Sequence, residues 1–108
     1  HERDFTYIED VIDILIIMMK KKYNKSNNIF NICSSRPQNI MKLAKYINKN
    51  IGKYKIKKVI KHNADVLKTH GSNKKILTLI GSKKFINIKK AIKTTHNWYK
   101  ENKIYKIK

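Results

Sequence analysis

His1-Glu2-Arg3-Asp4-Phe5-Thr6-Tyr7-Ile8-Glu9-Asp10 opens the chain and decides how the rest of it is read. Thr6 and Glu9 have the spacing of a capping box, in which the hydroxyl accepts from the Glu9 amide and the carboxylate reaches back. A helix is expected over residues 8–22, with Val11, Ile12, Leu15, Met18 and Met19 on its buried side. Glu9, Asp10 and Asp13 gather near its amino end, where the helix dipole favours negative charge. That electrostatic role accounts for them without a catalytic carboxylate set. Just ahead stands Arg3, which with Arg36 is all the arginine among 26 basic residues. A guanidinium donates two parallel hydrogen bonds to a pair of diphosphate oxygens, which an ammonium does not. A surface arginine paired with Asp4 or Glu2 is the plain alternative.

Composition narrows the classes. A chain of 108 residues suffices for one small domain with one modest core. The apolar run 14–19 is too short to span a bilayer and ends in Lys20-Lys21-Lys22. No secretory signal pattern is present. Cys33 is the single cysteine, which rules out an internal disulfide and points to a reducing cytoplasm. A formal charge of +19 invites a nucleic-acid reading, since clustered cations release counterions from phosphate backbones. Lysine, isoleucine and asparagine nevertheless make up 55 of the 108 residues, as adenine- and thymine-rich codons would produce. The lysines are spread through every later element, like solvated faces and unlike a binding stripe. Nucleic-acid binding is therefore the less favoured reading.

Further along, residues 29–33 (Ile-Phe-Asn-Ile-Cys) read as a short buried strand. Ser34-Ser35-Arg36-Pro37 reads as a turn, with Pro37 suited to a first helical position. Ile40, Leu43, Ala44, Ile47 and Ile51 form a helical stripe that Gly52 ends. Tyr54, Ile56, Lys58 and Ile60 alternate with Lys55, Lys57, Val59 and Lys61, the pattern of a lysine-guarded edge strand. A loop over residues 62–71 holds Asp65, the one acid between Asp13 and Glu101. An ionised carboxylate there can accept from two vicinal ribose hydroxyls; a helix cap or a lysine salt bridge is the alternative. Ser72 is placed to cap a short helix through Ile76, Leu77 and Ile80 to Gly81. Asn87 caps a last helix with Ile88, Ala91, Ile92, Thr95 and Tyr99 on one side and Trp98 at its margin, and the tail from Ile104 is expected to fray. Residues 23–28 read as a polar connection.

Several constellations carry nothing. Gly52, Gly71 and Gly81 form no G-x-G-x-x-G loop, so no dinucleotide site is read here. Tyr54/Lys58 and Tyr99/Lys103 match Tyr-x-x-x-Lys at a frequency chance alone supplies. His1, His62, His70 and His96 lack the ligand spacing of a zinc site with Cys33. Cys33 has no base paired with it in sequence and reads as a small buried residue.

Three separated segments resemble, in order, one family: the NAD-dependent epimerases and dehydratases of the extended short-chain dehydrogenase/reductase type. Residues 3–10 resemble its R-D-[FY]-x-[YH]-[IV]-x-D. Phe30-Asn31-Ile32-Cys33-Ser34-Ser35-Arg36-Pro37 resembles Y-N-[IL]-G-x-S-x-P. Ala64-Asp65-Val66-Leu67-Lys68-Thr69 resembles P-G-D-V-x-x-T, and Asn73-Lys74-Lys75 with Ile80-Gly81 resembles the following D-x-x-K helix and its L-G-[WF] end. Trp98-Tyr99 resembles the W-[YF] of the last helix. The details are most similar to UDP-glucuronate 4-epimerases, with UDP-glucose 4-epimerases beside them.

The resemblance implies an α/β fold, the C-terminal substrate-binding region of a Rossmann-type enzyme, with few strands and about four helices over residues 1–108. The NAD-binding Rossmann domain and the catalytic tyrosine and lysine lie outside this chain, which is by itself inactive. It implies that Arg3 contacts the substrate diphosphate and Asp65 the uridine ribose. His62 stands where relatives carry an arginine or glutamine beside the nucleotide. Asn63, Ala64 and Cys33 replace the family's proline, glycine and glycine. The partners implied are a UDP-sugar, the missing Rossmann portion and, for the whole enzyme, a second subunit; no membrane is implied, nor any metal. The implied reaction removes hydride from sugar position 4 to NAD and returns it to the other face. A dehydratase or reductase of the same family, and a small lysine-rich nucleic-acid-binding protein, are the rivals.

Overall fold

The computed structural model describes residues 1–22, 29–60 and 62–102. The described residues make a small mixed α/β arrangement of four helices and a two-stranded antiparallel sheet. In chain order these are β1 (Glu2–Arg3), α1 (Ile8–Met19), β2 (Gln38–Asn39), α2 (Ile40–Asn50), α3 (Lys74–Ile80) and α4 (Ile88–Glu101). β1 pairs with β2 in the register Glu2 to Asn39 and Arg3 to Gln38. On its other side Glu2 bridges Lys68 in parallel, with Glu2 N–H donating to the Leu67 carbonyl and Thr69 N–H to the Glu2 carbonyl. The amino-terminal strand is thus clasped between two distant parts of the chain.

α1 starts at Ile8 as expected, but its cap, its end and its buried face differ from the sequence reading. Tyr7 is the N-cap, and no side chain caps the helix. The Thr6 hydroxyl accepts instead from the Ser34 N–H at 3.1 Å, so the capping-box oxygen is spent on a tertiary tie. The helix ends at Met19, with Lys20 as C-cap. Ile14 is fully buried, while Ile12, Leu15 and Met19 are exposed. With apolar residues on all its sides, periodicity did not single out the face that packs.

The core lies between that face and α3. Ile14, Ile76 and Phe85 form its centre, with Met18, Phe30, Ile32, Leu77, Leu79 and Ile80 packed around them. Phe30 and Ile32 point inward and Asn31 outward, the alternation of an extended segment, yet residues 29–33 form no strand. Residues 53–60 likewise form no strand and are exposed along their length. An isolated strand leaves its backbone groups without a ladder, and among the described residues no neighbour pairs with this one. Lys61 and the connection 23–28 lie outside the described residues, as does the tail from residue 103.

α2 begins later than Pro37 suggests. Asn39 is its N-cap, accepting from the Lys42 N–H. Ser35 adopts φ 57°, which makes the sharp turn that precedes β2. At α3 the N-cap is Asn73 and not Ser72, and its side chain donates to the Cys33 carbonyl. Gly81 ends α3 at φ 92°, a conformation that disfavours any side chain. α4 is capped by Asn87, as its sequence predicts, through a bond from the Lys89 N–H.

Candidate functional site

The site is organised by Asp4. Its Oδ1 accepts from the Ser34 hydroxyl at 2.6 Å and the Arg36 N–H at 3.3 Å, and its Oδ2 from the Gly71 N–H at 3.1 Å. Its own N–H donates to the Thr69 hydroxyl. One carboxylate therefore joins the opening strand, the turn 34–36 and the loop 69–71. Burial raises its pKa, but the bonds from Ser34, Gly71 and Arg36 together with nearby His70 outweigh that and hold it below the usual value. Beside it, burial and the Asp4 carboxylate push the Cys33 thiol up. A thiol shifted in that direction is less available as a thiolate, and Cys33 is partly buried where the sequence reading expects a buried residue.

Asp10 ties down the other end of the segment. It is buried, and its Oδ2 accepts from the Ile86 N–H at 3.0 Å. Its Oδ1 lies 3.1 Å from Lys83 Nζ, which also reaches Asp13 at 2.6 Å. The hydrogen bond to Asp13 raises the Lys83 pKa against the opposing effect of burial, and Asp10 adds to the rise. Asp10 and Asp13 thus anchor the loop before α4, a role that helix-dipole reasoning does not reveal.

Of the three residues that the resemblance implies for the nucleotide, Arg3 lies in β1, and His62 and Asp65 lie in the loop that precedes Lys68. Arg3 is half-buried and donates through Nη1 to the Glu2 carbonyl. Asp65 and His62 are exposed, and their turn is closed by the Asp65 N–H on the His62 carbonyl and the Ala64 N–H on His62 Nδ1. That turn leads into the segment 67–69 that flanks Glu2, and because the two run parallel it is Thr69, and neither His62 nor Asp65, that comes level with Arg3. Lys68 is taken by Glu2 at 3.1 Å.

A cleft of about 590 Å³ opens elsewhere, between Phe5–Tyr7, the end of α2 and one side of α4. That is a size typical of small-molecule sites. Ile47, Ile51 and Ile92 supply apolar wall, and Arg36 and Lys89 bring positive charge. Neither this cleft nor a second one, of about 600 Å³ beside α2, is lined by Arg3, His62 or Asp65. The α2 and α4 stripes were legible in sequence, but they read as core faces and not as cleft walls. Arg36 was the available signal, as the second arginine in a lysine-rich chain.

No glycine here cradles a dinucleotide. A side chain at Gly71 would meet Cys33 Sγ at 2.6 Å, one at Gly52 would meet the Tyr54 ring, and Gly81 ends a helix. None opens a helix after a strand, so these residues do not fit NAD. Among the described residues no group of three or more His, Cys, Asp or Glu is placed to hold a metal ion, and no helix is long and apolar enough to cross a membrane.

An uncharacterized protein of Methanocaldococcus jannaschii is 37% identical to the chain over 103 residues, which are 94% of this chain and 31% of that protein. The chain thus spans less than a third of its relative's length. No protein-family model matches it, and no solved structure does.

Proposed function

We propose that this chain is the substrate-binding, carboxyl-terminal part of an NAD-dependent nucleotide-sugar epimerase, acting on the 4 position of a UDP-sugar such as UDP-glucuronate or UDP-glucose. One observation carries the reading. The three segments that resemble the family, far apart in sequence, meet through Asp4 and its bonds to Ser34, Arg36, Thr69 and Gly71. A relative about three times as long as the aligned stretch adds support, because such an enzyme needs a larger partner region.

In this reading the chain binds and positions, and the redox chemistry belongs to the remainder of the enzyme. Arg3 offers its guanidinium fork to the diphosphate, and Asp65 accepts from the two ribose hydroxyls, with His62 beside the nucleotide. Gripping the remote uridine diphosphate holds the sugar in place, so binding energy is turned into orientation at the reacting carbon.

Calorimetric titration of the 108-residue chain with UDP tests this. UDP is expected to bind more tightly than inorganic pyrophosphate, and Arg3→Lys and Asp65→Asn are each expected to weaken it about tenfold or more. Equal binding of UDP, pyrophosphate and single-stranded DNA, falling steeply with salt, would instead make the chain a general polyanion binder.

A further inference from the structure

We propose that the cleft beside α2 is a binding site for a short oligophosphate, held by Lys42, Lys45, Lys49 and Lys89. The proposal is independent of the function argued above, because Arg3, His62 and Asp65 do not line this cleft. Lys42, Lys45 and Lys49 stand three and four residues apart on α2, so they share one face of the helix over about 10 Å. Lys89 stands opposite, in the first turn of α4. Its Nζ lies 5.4 Å from the centre of the Tyr46 ring, which holds it across the cleft. Leu43 and Ile88 supply apolar wall between the charges. The cleft encloses about 600 Å³, a size typical of small-molecule sites.

Charge selects the ligand. The cleft is lined by four lysines and no acid, and α2 carries no acid along its length. Among the described residues no carboxylate lies within ion-pair distance of any of the four, whereas Lys68 and Lys83 have such partners. The helices themselves do not favour these positions. Lysines three and four residues apart repel each other. Lys42 and Lys89 stand in first turns, where the helix dipole opposes a cation. An anion between α2 and the start of α4 reverses all of these effects at once. An ammonium is a point charge that meets phosphate oxygens singly, without the fork that matches a planar carboxylate. A triphosphate chain carries about four negative charges at neutral pH, one for each lysine. A nucleic-acid strand instead needs a continuous groove with aromatic rings free to stack on its bases. The lining has one aromatic, Tyr46, and Lys89 already covers it.

Calorimetric titration of the 108-residue chain with inorganic tripolyphosphate, in about 0.15 M salt to screen distant charges, tests the proposal. One saturable site is expected. Lys45→Glu with Lys49→Glu is expected to weaken binding about tenfold or more, and the milder Lys89→Gln on the other wall about threefold. The far-ultraviolet circular dichroism of both variants should be unchanged, since all three positions are exposed. Lys57→Glu with Lys58→Glu makes the same change of net charge on exposed residues that line neither cleft. It is expected to shift binding less than about twofold. Arg3→Lys is expected to leave tripolyphosphate binding unchanged, which separates this site from the one proposed for UDP. Adenosine triphosphate that competes supports a nucleotide's phosphate chain as the occupant, and failure to compete supports free oligophosphate. No saturable binding, or equal losses in the two double variants, overturns the proposal in favour of diffuse attraction by the +19 charge. Single-stranded DNA that binds more tightly than tripolyphosphate, and loses that binding in Lys45→Glu with Lys49→Glu, overturns it by making the cleft a nucleic-acid groove.

Discussion

Residues 1–10 and residues 53–67 differ in how they hold their place. In the first stretch carboxylates face inward and collect backbone N–H groups from far along the chain: Asp4 from Arg36 and Gly71, Asp10 from Ile86. In the second, lysines alternate with Tyr54, Ile56 and Val59, all of them exposed, and among the described residues no helix or strand forms before the bridge at Lys68. The chain has 26 basic residues and seven acids. Glu2, Asp4, Asp10 and Asp13 each make a long-range tie. In so lysine-rich a protein these four acids are among the groups that tie distant segments together, because a cation surplus supplies repulsion and a carboxylate is an acceptor that can close such a contact.

The contrast can be broken by mutation, starting with the largest effect. Ile14→Ala empties a fully enclosed site and is expected to cost about 2–5 kcal/mol in urea unfolding. Ile12→Ala, on the outer face, should cost less than about 1 kcal/mol in dilute solution. Equal losses would mean that the wrong face of α1 has been taken as buried.

Asp10→Ala leaves the Ile86 N–H unpaired and removes the better-buried partner of Lys83. A loss of about 2–4 kcal/mol is expected, and Asp10→Ala with Lys83→Met should recover part of it.

Asp4 gives the contrast a pH signature. Its folded pKa lies below the ordinary 3.8, so the unfolded chain takes up its proton first as pH falls. The stability it contributes is fully present above 3.8 and is lost as pH drops through the folded value. Asp4→Asn should flatten the acid limb of the stability curve and lower stability at neutral pH by about 1–2 kcal/mol. An acid limb unchanged in the variant would put the titration elsewhere.

Asn87→Ala removes one cap from α4 and should cost about 1 kcal/mol. Lys57→Ala in the exposed stretch should change stability by no more than about 0.5 kcal/mol.

How much could be read beforehand follows from the range of the forces involved. The stripes of α2 and α4 were legible because alternate faces of those helices differ sharply in polarity, and the Asn87 cap because its partner is two residues away. The packing face of α1 was not, since Ile14 and Ile12 are equally apolar. The roles of Asp4 and Asp10 were hidden for a different reason: their partners, Gly71, Lys83 and Ile86, are distant in sequence and two of the bonds are to backbone. β1 and β2, at two residues each, are too short to carry any periodicity. The expected strand over residues 54–61 had the right alternation but no partner to make it a sheet. Of the candidate site, Arg3, His62 and Asp65 are legible only as motif positions, and Arg36 at the cleft only as the second arginine of a lysine-rich chain.

The Cys33 side chain fills the space beside Gly71, since a methyl group added at residue 71 would lie 2.6 Å from the sulfur. A side chain at residue 71 therefore requires a smaller residue at 33. A chain carrying glycine at 33 has room for alanine at 71, and in that exchange the volume moves across the gap while the Asp4 tie to the residue 71 N–H is left in place.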